Sequence, residues 1–271
     1  MTLDPGLRRA ILDAVASLEA DSVERLARLV RCSSTLGQEQ GALDEMARNF
    51  EALGLAPRRV PTDPAALKDH PGFSPPLIPY DGRDNVVAVF TPRGKRGRSL
   101  ALQGHVDVVP EGAADLWVTP PYEPDVRNGR MYGRGAGDMK AGIVSYLTAF
   151  EALRRAGVQP AAEVQMQAVI EEECTGNGAL AAMLALPRTD AVIIPEPGPG
   201  FAAVYSAEVG VIWAWVTVTG RPTHVREMHA GVNAIEAAGI IAAGFKDYEA
   251  EMNRAEPVSY THLRAHETRG N

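Results

Sequence analysis

Cysteine is scarce in this sequence, since Cys32 and Cys174 are the only two among 271 residues. Two thiols cannot build the dense disulfide framework of a small secreted domain, so a reducing cytoplasm is the expected location. No apolar run is long enough to span a bilayer, and the N-terminus lacks the basic and apolar segments of a signal peptide. These absences predict a cytoplasmic protein without a membrane partner.

Positive charge is also in deficit, with 27 lysine and arginine residues against 34 aspartate and glutamate residues and a formal net charge of −7. No basic run interrupts this balance, so neither a nucleic acid nor an anionic membrane surface is expected as a partner. The composition is otherwise that of a globular protein, with 45% hydrophobic residues to form a core.

Short apolar runs alternate with longer segments of helical spacing. Four runs are predicted to be strands: residues 84–90, 100–106, 163–170 and 190–194. Helical spacing covers four segments: residues 4–31, 37–54, 140–156 and 177–186. This alternation indicates an α/β fold with a mixed, largely parallel sheet flanked by helices. In such sheets, functional residues collect at the carboxyl ends of the strands.

A change of pattern near residues 202–208 divides the chain. Residues 1–205 are expected to be the N-terminal part of a catalytic domain. Beyond them, apolar alternation predicts strands over residues 203–219 and helical spacing predicts a helix over 232–251. Residues 206–256 are therefore expected to form part of an α+β lid or dimerisation domain.

Two segments break these patterns. Residues 61–83 are rich in proline and are predicted to be a long surface loop. Residues 257–271 have no apolar periodicity and are expected to be a tail that is foreign to the fold. His262 and His266 in this tail are four residues apart, a spacing that could hold a metal on a helix, but we favour the foreign tail.

Histidine and carboxylate residues lie where the predicted strands end. His105 and Asp107 are two residues apart, so along a strand their side chains point to the same side. Asp138 follows a glycine-dense turn, and the acidic run 171–173 and Glu196 follow the next two strands. Mixed histidine and carboxylate ligands without cysteine suit zinc, manganese or cobalt. Two such metals ~3.5–4 Å apart, sharing one carboxylate, would activate a water, with another carboxylate as general base.

Two simpler interpretations compete with a metal centre. The acidic run 171–173 could be a solvated turn, because neighbouring like charges oppose ionisation when they are buried. The glycine-dense turn 133–142 could bind phosphate. However, its spacing matches neither a dinucleotide-binding fingerprint nor a P-loop, and Asp138 would repel phosphate.

Four motifs together resemble the M20 metallopeptidase family, over about residues 5–256. They occur in the family's order, as Gly104-His105-Val106-Asp107, Gly133-Arg134-Gly135-Ala136-Gly137-Asp138-Met139-Lys140-Ala141-Gly142, Glu171-Glu172-Glu173 and Pro195-Glu196-Pro197. The family includes acetylornithine deacetylase, succinyl-diaminopimelate desuccinylase, aminoacylase and carboxypeptidase G2. The resemblance implies a zinc-exopeptidase-like catalytic domain, a homodimer, and two divalent metal ions, with zinc expected first and cobalt or manganese as alternatives.

The resemblance also implies which residues bind the metals. His105 and Glu196 would bind the first metal, Glu173 would bind the second, and Asp138 would bridge the two. The family has a cis peptide after the bridging aspartate, so the Asp138–Met139 bond is expected to be cis.

The catalytic roles follow from the same resemblance. Glu172 would be the general base, and Asp107 would orient the metal-binding histidine from behind. His224, in the segment Gly220-Arg221-Pro222-Thr223-His224, would reach into the partner subunit's site and steady the oxyanion. His229-Ala230-Gly231 competes for the same alignment, but the segment that ends at His224 fits better. The family usually has aspartate where this chain has Glu171, which leaves the register of the base open by one residue.

The resemblance implies hydrolysis of an amide bond in a small N-acyl amino acid, as in acetylornithine deacetylase, with a water bound by both metals as the nucleophile. Carboxypeptidase or dipeptidase action on a small peptide is the alternative within this class. In members of the family, the catalytic domain resumes after the lid, and that segment supplies a last histidine to the second metal. This chain is therefore expected to be a C-terminally truncated fragment of low activity. An inactive fragment or a binding protein with a vestigial metal site is the alternative from another class.

Overall fold

A computed structural model describes residues 3–94, 96–198, 204 and 215–255 of the chain. The chain separates into two compact units, Met1–Pro199 and Gly200–Asn271. The sheet and the residues of the four motifs belong to the first unit.

The described residues contain helices and strands in the alternation that the sequence predicts. The helices are α1 (Pro5–Ser17), α2 (Glu19–Val30), α3 (Gln40–Ala52), α4 (Pro64–Leu67), α5 (Gly142–Arg155), α6 (Asn177–Ala185) and α7 (Ala234–Ala255). The strands are β1 (Arg58–Pro61), β2 (Asp84–Phe90), β3 (Leu100–His105), β4 (Asp125–Arg127), β5 (Arg130–Tyr132), β6 (Val164–Val169) and β7 (Ala191–Ile193). The four predicted strands are present, with ends within one residue of the expected ones.

Five strands form the central sheet of the first unit, in the order β1-β2-β6-β3-β7. Strand β2 is antiparallel to both of its neighbours, whereas β6, β3 and β7 run parallel to one another. Only β2 therefore opposes the common direction, and the predicted mixed, largely parallel sheet is confirmed. The carboxyl ends of β6, β3 and β7 lie side by side, with β3 in the middle.

Helices cover both faces of this sheet. Because successive strand residues point to opposite sides, neighbouring residues of one strand pack against different helices. Val86 of β2 belongs to the same buried cluster as Phe50 of α3 and Leu147 of α5. The next residue of the strand, Val87, packs instead with Ala182 of α6. The predicted sandwich of a sheet between helices is confirmed by this alternation.

Some regular structure was not predicted. Strand β1 pairs with β2, and α4 lies inside the segment that was predicted to be a surface loop. That prediction is wrong for the end of the loop, where Tyr80 and Arg83 are buried because they bind a buried carboxylate. Strands β4 and β5 form a hairpin whose turn, Asn128-Gly129, has positive φ at both residues. Asn-Gly is the dipeptide that such tight hairpin turns favour.

The described part of the second unit consists mainly of α7, which confirms the predicted helix over residues 232–251. A 3₁₀ helix, Val225–Ala230, precedes it, and Arg221 and Val232 form an isolated antiparallel bridge. Most of the segment predicted to form strands, 203–219, lies outside the described residues, and its described end, 215–219, is not a strand. The predicted tail also lies outside them. No helix within the described ranges is long and apolar enough to cross a membrane.

Candidate metal and catalytic site

Three adjacent parallel strands bring an imidazole and several carboxylates together. Strand β3 ends at His105, β6 leads into the acidic run 171–173, and β7 leads to Glu196. The His105 Nε2 atom lies 3.3 Å from Asp138 Oδ1, 3.5 Å from Glu196 Oε1 and 3.7 Å from Glu172 Oε2. Residues separated widely in the sequence thus meet around one ring nitrogen, at the strand ends where the sequence predicted a site.

Asp138 reaches this point from an irregular turn before α5. It lies within a π-helical segment, Ala136–Ala141, but its own φ and ψ are −108° and 105°. The Asp138–Met139 peptide bond is cis, as the family resemblance implied. Gly135 opens the turn with φ 74°, and a Cβ there would lie 2.5 Å from Val108 Cγ1. Glycine is therefore required where the chain bends to present Asp138.

A second glycine places Glu196 beside Asp138. Gly142 is the first residue of α5, and a Cβ built on it would lie only 2.1 Å from the carbonyl oxygen of Pro195. The bare Gly142 backbone allows the Pro195 carbonyl to approach α5 this closely. The residue after Pro195 is Glu196, so this contact positions its carboxylate.

The His105 ring presents one nitrogen to a backbone carbonyl and the other to the carboxylates. Its Nδ1 lies 2.9 Å from the backbone oxygen of Asp107. Because a carbonyl oxygen can only accept, Nδ1 carries a proton and donates a hydrogen bond to this oxygen. Its Nε2 is buried and has no hydrogen-bond partner among the described residues. A buried nitrogen with a free lone pair, facing carboxylates, fits a divalent cation, and a fixed Nδ1–H bond is what orients such ligands.

The titration of His105 reflects the same surroundings. Burial lowers the pKa of His105, but the adjacent carboxylates of Asp107, Asp138 and Glu196 outweigh burial and raise the pKa to about 11. The group of carboxylates therefore favours a positive charge at Nε2, and a metal ion supplies such a charge.

The acidic residues compete with one another for ionisation. Burial, and then the charge of Asp138, raises the pKa of Glu173 to about 7. Burial also raises the pKa of Glu196 to about 7, with Asp138 and Glu172 adding to this effect and His105 opposing it. The adjacent His105 ring lowers the pKa of Asp138. Such mutual repulsion among partly buried carboxylates is relieved when they share a cation.

Three side chains form a compact candidate metal group. His105, Asp138 and Glu173 offer ligand atoms that all lie within 4.8 Å of one another. Glu196 contacts the same imidazole at 3.5 Å. The structure thus brings together the four residues that the sequence nominated as metal ligands, and Asp138 lies near both His105 and Glu173, as a bridging carboxylate must.

Asp107 connects the imidazole to the acidic turn. Its carboxylate accepts hydrogen bonds from the backbone N–H groups of Glu172, at 3.3 Å, and Glu173, at 3.1 Å. It contacts the His105 ring mainly through its backbone oxygen, since the carboxylate lies 3.5 Å from Nδ1. Sequence reasoning placed Asp107 behind His105 but missed its hold on the turn, which only the folded chain shows.

The acidic run divides into one inward and two outward residues. Glu171 is fully buried, and its carboxylate accepts hydrogen bonds from Arg83 at 2.7 Å, from Thr175 at 2.5 Å and from Tyr80. Glu172 and Glu173 are the members of the run that face the imidazole. The contacts with Arg83 and Thr175 thus separate the Glu171 carboxylate from the two members that face the imidazole, and the register of the base stays a prediction.

The motif lysine also has a structural role that sequence reasoning missed. Lys140 is fully buried, and its Nζ donates a hydrogen bond to the backbone oxygen of Cys32 at 2.9 Å. Burial lowers the pKa of Lys140 to about 8. This bond ties the turn that carries Asp138 to the chain just after α2.

His224 lies in the second unit, directly before the 3₁₀ helix. It is exposed, and its Nδ1 accepts a hydrogen bond from the backbone N–H of Arg226 at 3.2 Å. The role that the resemblance implies for His224 in a partner's site stays a prediction.

Comparisons with known proteins agree with the four motifs. Residues 101–267 match the peptidase family M20/M25/M40. A succinyl-diaminopimelate desuccinylase from Dechloromonas aromatica is 28% identical over 230 residues, 82% of this chain and 55% of the relative. A probable succinyl-diaminopimelate desuccinylase from Staphylococcus aureus is 34% identical over 175 residues, 64% of this chain and 42% of the relative. In fold, a tripeptidase from Staphylococcus aureus is similar, with a TM-score of 0.51 and 21% identity over 82% of this chain and 55% of that chain.

These matches have a defined extent. The chain spans about half the length of the curated relatives that it matches. The family match covers more than half of this chain, and it includes the residues that converge on His105. The chain therefore belongs to the peptidase family M20/M25/M40.

Proposed function

We propose that the protein to which this chain belongs hydrolyses the amide bond of small N-acyl amino acids with the aid of two divalent metal ions. The observation that carries this proposal is the buried Nε2 of His105, which has no hydrogen-bond partner among the described residues and faces the carboxylates of Asp138, Glu172 and Glu196. Such a donor set is that of a metal centre in a hydrolase.

Four residues are proposed to hold the metals. His105, Asp138 and Glu196 would bind the first ion, and Asp138 and Glu173 would bind the second. Nitrogen and oxygen donors without thiolates suit zinc, with cobalt or manganese as alternatives. When bound, the two ions would polarise the amide carbonyl and lower the pKa of a water molecule.

Glu172 is proposed to be the general base. Its carboxylate lies 3.7 Å from His105 Nε2 and its side chain is 53% exposed, so it can reach both the site and an incoming substrate. It would take a proton from the attacking water as the new C–O bond forms, and would deliver that proton to the amine as the C–N bond breaks. The products are a carboxylic acid and a free amino acid.

Two further residues are proposed to support this step. The Asp107 carboxylate accepts hydrogen bonds from the backbone N–H groups of Glu172 at 3.3 Å and Glu173 at 3.1 Å. These bonds fix the position of the proposed base relative to the proposed metal ligand. His224 is proposed to donate a hydrogen bond to the developing oxyanion in the site of a partner subunit of a homodimer. That role is supported by the family resemblance alone.

The relatives guide the choice of acyl group. Two curated relatives are named as succinyl-diaminopimelate desuccinylases, and this favours an N-succinyl amino acid as the substrate over N-acetylornithine, the sequence-based expectation. The scarcity of cysteine, with Cys32 and Cys174 both free, supports the proposed cytoplasmic location.

A substrate panel tests the proposal. The full chain, dialysed against chelator and then supplied with zinc, cobalt or manganese, is incubated with N-succinyl-diaminopimelate, N-acetylornithine and a dipeptide, and released amine is measured. We expect release from an N-acyl amino acid that depends on added metal and is lost in Glu172→Gln. Metal binding without release from any substrate would favour a binding protein instead, and release from the dipeptide alone would favour peptidase action.

A further inference from the structure

A buried polar cluster lies behind the acidic turn, and none of its members is among the proposed metal ligands. We call it the anchor cluster, and it consists of Glu39, Tyr80, Arg83, Glu171 and Thr175. Four of these residues are less than one tenth exposed. A group of charges buried this deeply is costly unless every member is paired, so its retention here needs a reason.

The contacts of the anchor cluster satisfy both oxygens of Glu171. Arg83 Nη1 donates to Oε1 at 2.7 Å, and Thr175 Oγ1 donates to Oε2 at 2.5 Å, with the Tyr80 hydroxyl as a second donor to that oxygen. Arg83 also binds Glu39 through two nitrogens, one of them Nε at 3.2 Å. The arginine thus joins the acidic turn to the start of α3.

The backbone is folded around the same residue. Glu171 has φ 64°, in the left-handed region that side-chain-bearing residues rarely adopt. Its carbonyl accepts hydrogen bonds from Thr175 N at 3.1 Å and Gly176 N at 2.7 Å. This conformation sends the Glu171 side chain inward and the next two residues outward, where their N–H groups meet the carboxylate of Asp107.

We propose that Glu171 and Arg83 form a positioning pair that sets the place of Glu173 and thereby the affinity of the second metal, without touching either metal or substrate. If the pair is removed, Glu171 loses the contacts that hold it in the left-handed region. A return to ordinary strand geometry would turn the following residues relative to Asp138. The inference rests on the proposed function in one respect, because it takes Glu173 to be a metal ligand.

Metal titration of the full chain tests this, because it needs no turnover. Isothermal titration calorimetry with zinc or cobalt is compared for the wild type and Glu171→Gln, which keeps the side-chain shape but removes the charge that pairs with Arg83. We expect the weaker of two metal equivalents to lose roughly 10–100-fold in affinity, the range that outer-sphere partners of metal ligands show. The tighter equivalent should change much less, since His105 ends β3 and Glu196 follows β7, so neither residue belongs to the acidic turn.

Glu45→Gln is the matched control. Glu45 is also a buried glutamate, and it is paired with Arg28 at 2.7 Å and Arg48 at 2.8 Å, but it lies on α3 away from the acidic turn. We expect wild-type affinities for both metals in this variant. Equal losses in Glu171→Gln and Glu45→Gln would mean that any destabilisation weakens the site, and would overturn the proposal.

A milder pair covers the case in which Glu171→Gln does not fold. Thr175→Val removes one hydroxyl donor to Glu171 and keeps the shape, whereas Thr175→Ser keeps the hydroxyl. We expect weaker binding of the second metal in the valine variant and rescue in the serine variant. Identical binding in both would overturn the proposal.

Hydrogen exchange separates this inference from the proposed function. The amides of Glu172 and Glu173 should exchange faster in Thr175→Val and in Glu171→Gln than in the wild type, with metal or without. If the wild type bound metal through Asp138 but these variants changed neither exchange nor affinity, the positioning pair would be refuted and the proposed function would stand. A wild type that bound no metal, together with faster exchange in the variants, would refute the metal-dependent function and the effect on affinity.

Discussion

A single methyl group at Gly142 should destabilise the protein, although helix propensity alone predicts the opposite. Gly142 is the first residue of α5 and has ordinary helical φ and ψ of −60° and −44°. Replacing glycine by alanine in a helix stabilises it by roughly 0.5–1 kcal/mol when nothing else changes. Local helix propensity would therefore recommend Gly142→Ala as a stabilising substitution.

The tertiary structure reverses this sign. The added Cβ would lie 2.1 Å from the carbonyl oxygen and 3.0 Å from the carbonyl carbon of Pro195. These are backbone atoms, so no side-chain rotation can relieve the overlap, and the two segments must separate by about 1 Å. Overpacking of this kind costs about 1–3 kcal/mol. We therefore expect a net loss of up to about 2.5 kcal/mol in the free energy of unfolding after the gain in propensity is subtracted.

The same displacement should reach the metal site. Glu196 follows Pro195 directly and lies 3.5 Å from His105 Nε2, so a shift of this segment changes a contact that metal binding requires. Urea unfolding measures the free energy of unfolding, and calorimetry with zinc measures affinity. We expect Gly142→Ala to lose in both measurements.

Gly41→Ala is the matched control in α3. Its added Cβ would have nothing nearer than Cys32 Sγ at 3.9 Å, an ordinary contact. We expect this variant to be as stable as the wild type or more stable, with unchanged metal affinity. The reasoning would be refuted if Gly142→Ala matched Gly41→Ala in both stability and zinc affinity.

Metal binding, core packing and a buried ion pair each give a further prediction. Zinc at a thousandfold excess over its Kd should raise the free energy of unfolding by about 4 kcal/mol. In a thermal-shift assay, a chelator or the substitution Asp138→Ala should remove this stabilisation. Equal stabilisation of Asp138→Ala by zinc would mean that the metal binds elsewhere. Phe50→Ala should lower the free energy of unfolding by about 3–5 kcal/mol, because Phe50 is fully buried in the main cluster between α3 and the sheet. A loss below about 1 kcal/mol in urea unfolding would contradict this burial. Burial acts to raise the pKa of Glu45, but hydrogen bonds from Arg28 and Arg48 outweigh burial and lower the pKa below its ordinary value of 4.5. The ionised Glu45 therefore stabilises the folded protein at pH values above 4.5, and this stability is lost as the pH falls through the lowered pKa. Glu45→Gln should therefore be less stable than the wild type at pH 7, by less than about 1 kcal/mol because both arginines are partly exposed. In urea unfolding, this difference should shrink as the pH falls below 4.5 and through the lowered pKa. A difference that stays constant as the pH falls would contradict the ion pairs.

The parts of the fold that sequence reasoning predicted correctly have strong local signals. Strand β2 was predicted with its observed bounds, because a short run of apolar and β-branched residues between two loops is typical of a buried strand. The position of His105 at a strand end followed from the same argument, and the family resemblance supplied the cis Asp138–Met139 bond.

The missed parts depend on partners that are distant in the sequence. Strand β1 has only four residues and is defined by its pairing with β2, which no local pattern shows. Arg83 was assigned to a surface loop because proline dominates that segment, yet it is buried by its bonds to Glu39 and Glu171, 44 and 88 positions away. The β4–β5 hairpin did have a local signal in Asn128-Gly129, which was overlooked.

The sequence by itself determined which ligand types are available and that strand ends would carry them, because hydrophobic periodicity and residue chemistry are local properties. It also determined that the turn before Asp138 would be dense in glycine. Only the tertiary structure decided which members of the run Glu171-Glu172-Glu173 face His105. That choice depends on a left-handed backbone angle at Glu171 and on an arginine 88 positions away, and both exist only once the sheet and the loop have packed together.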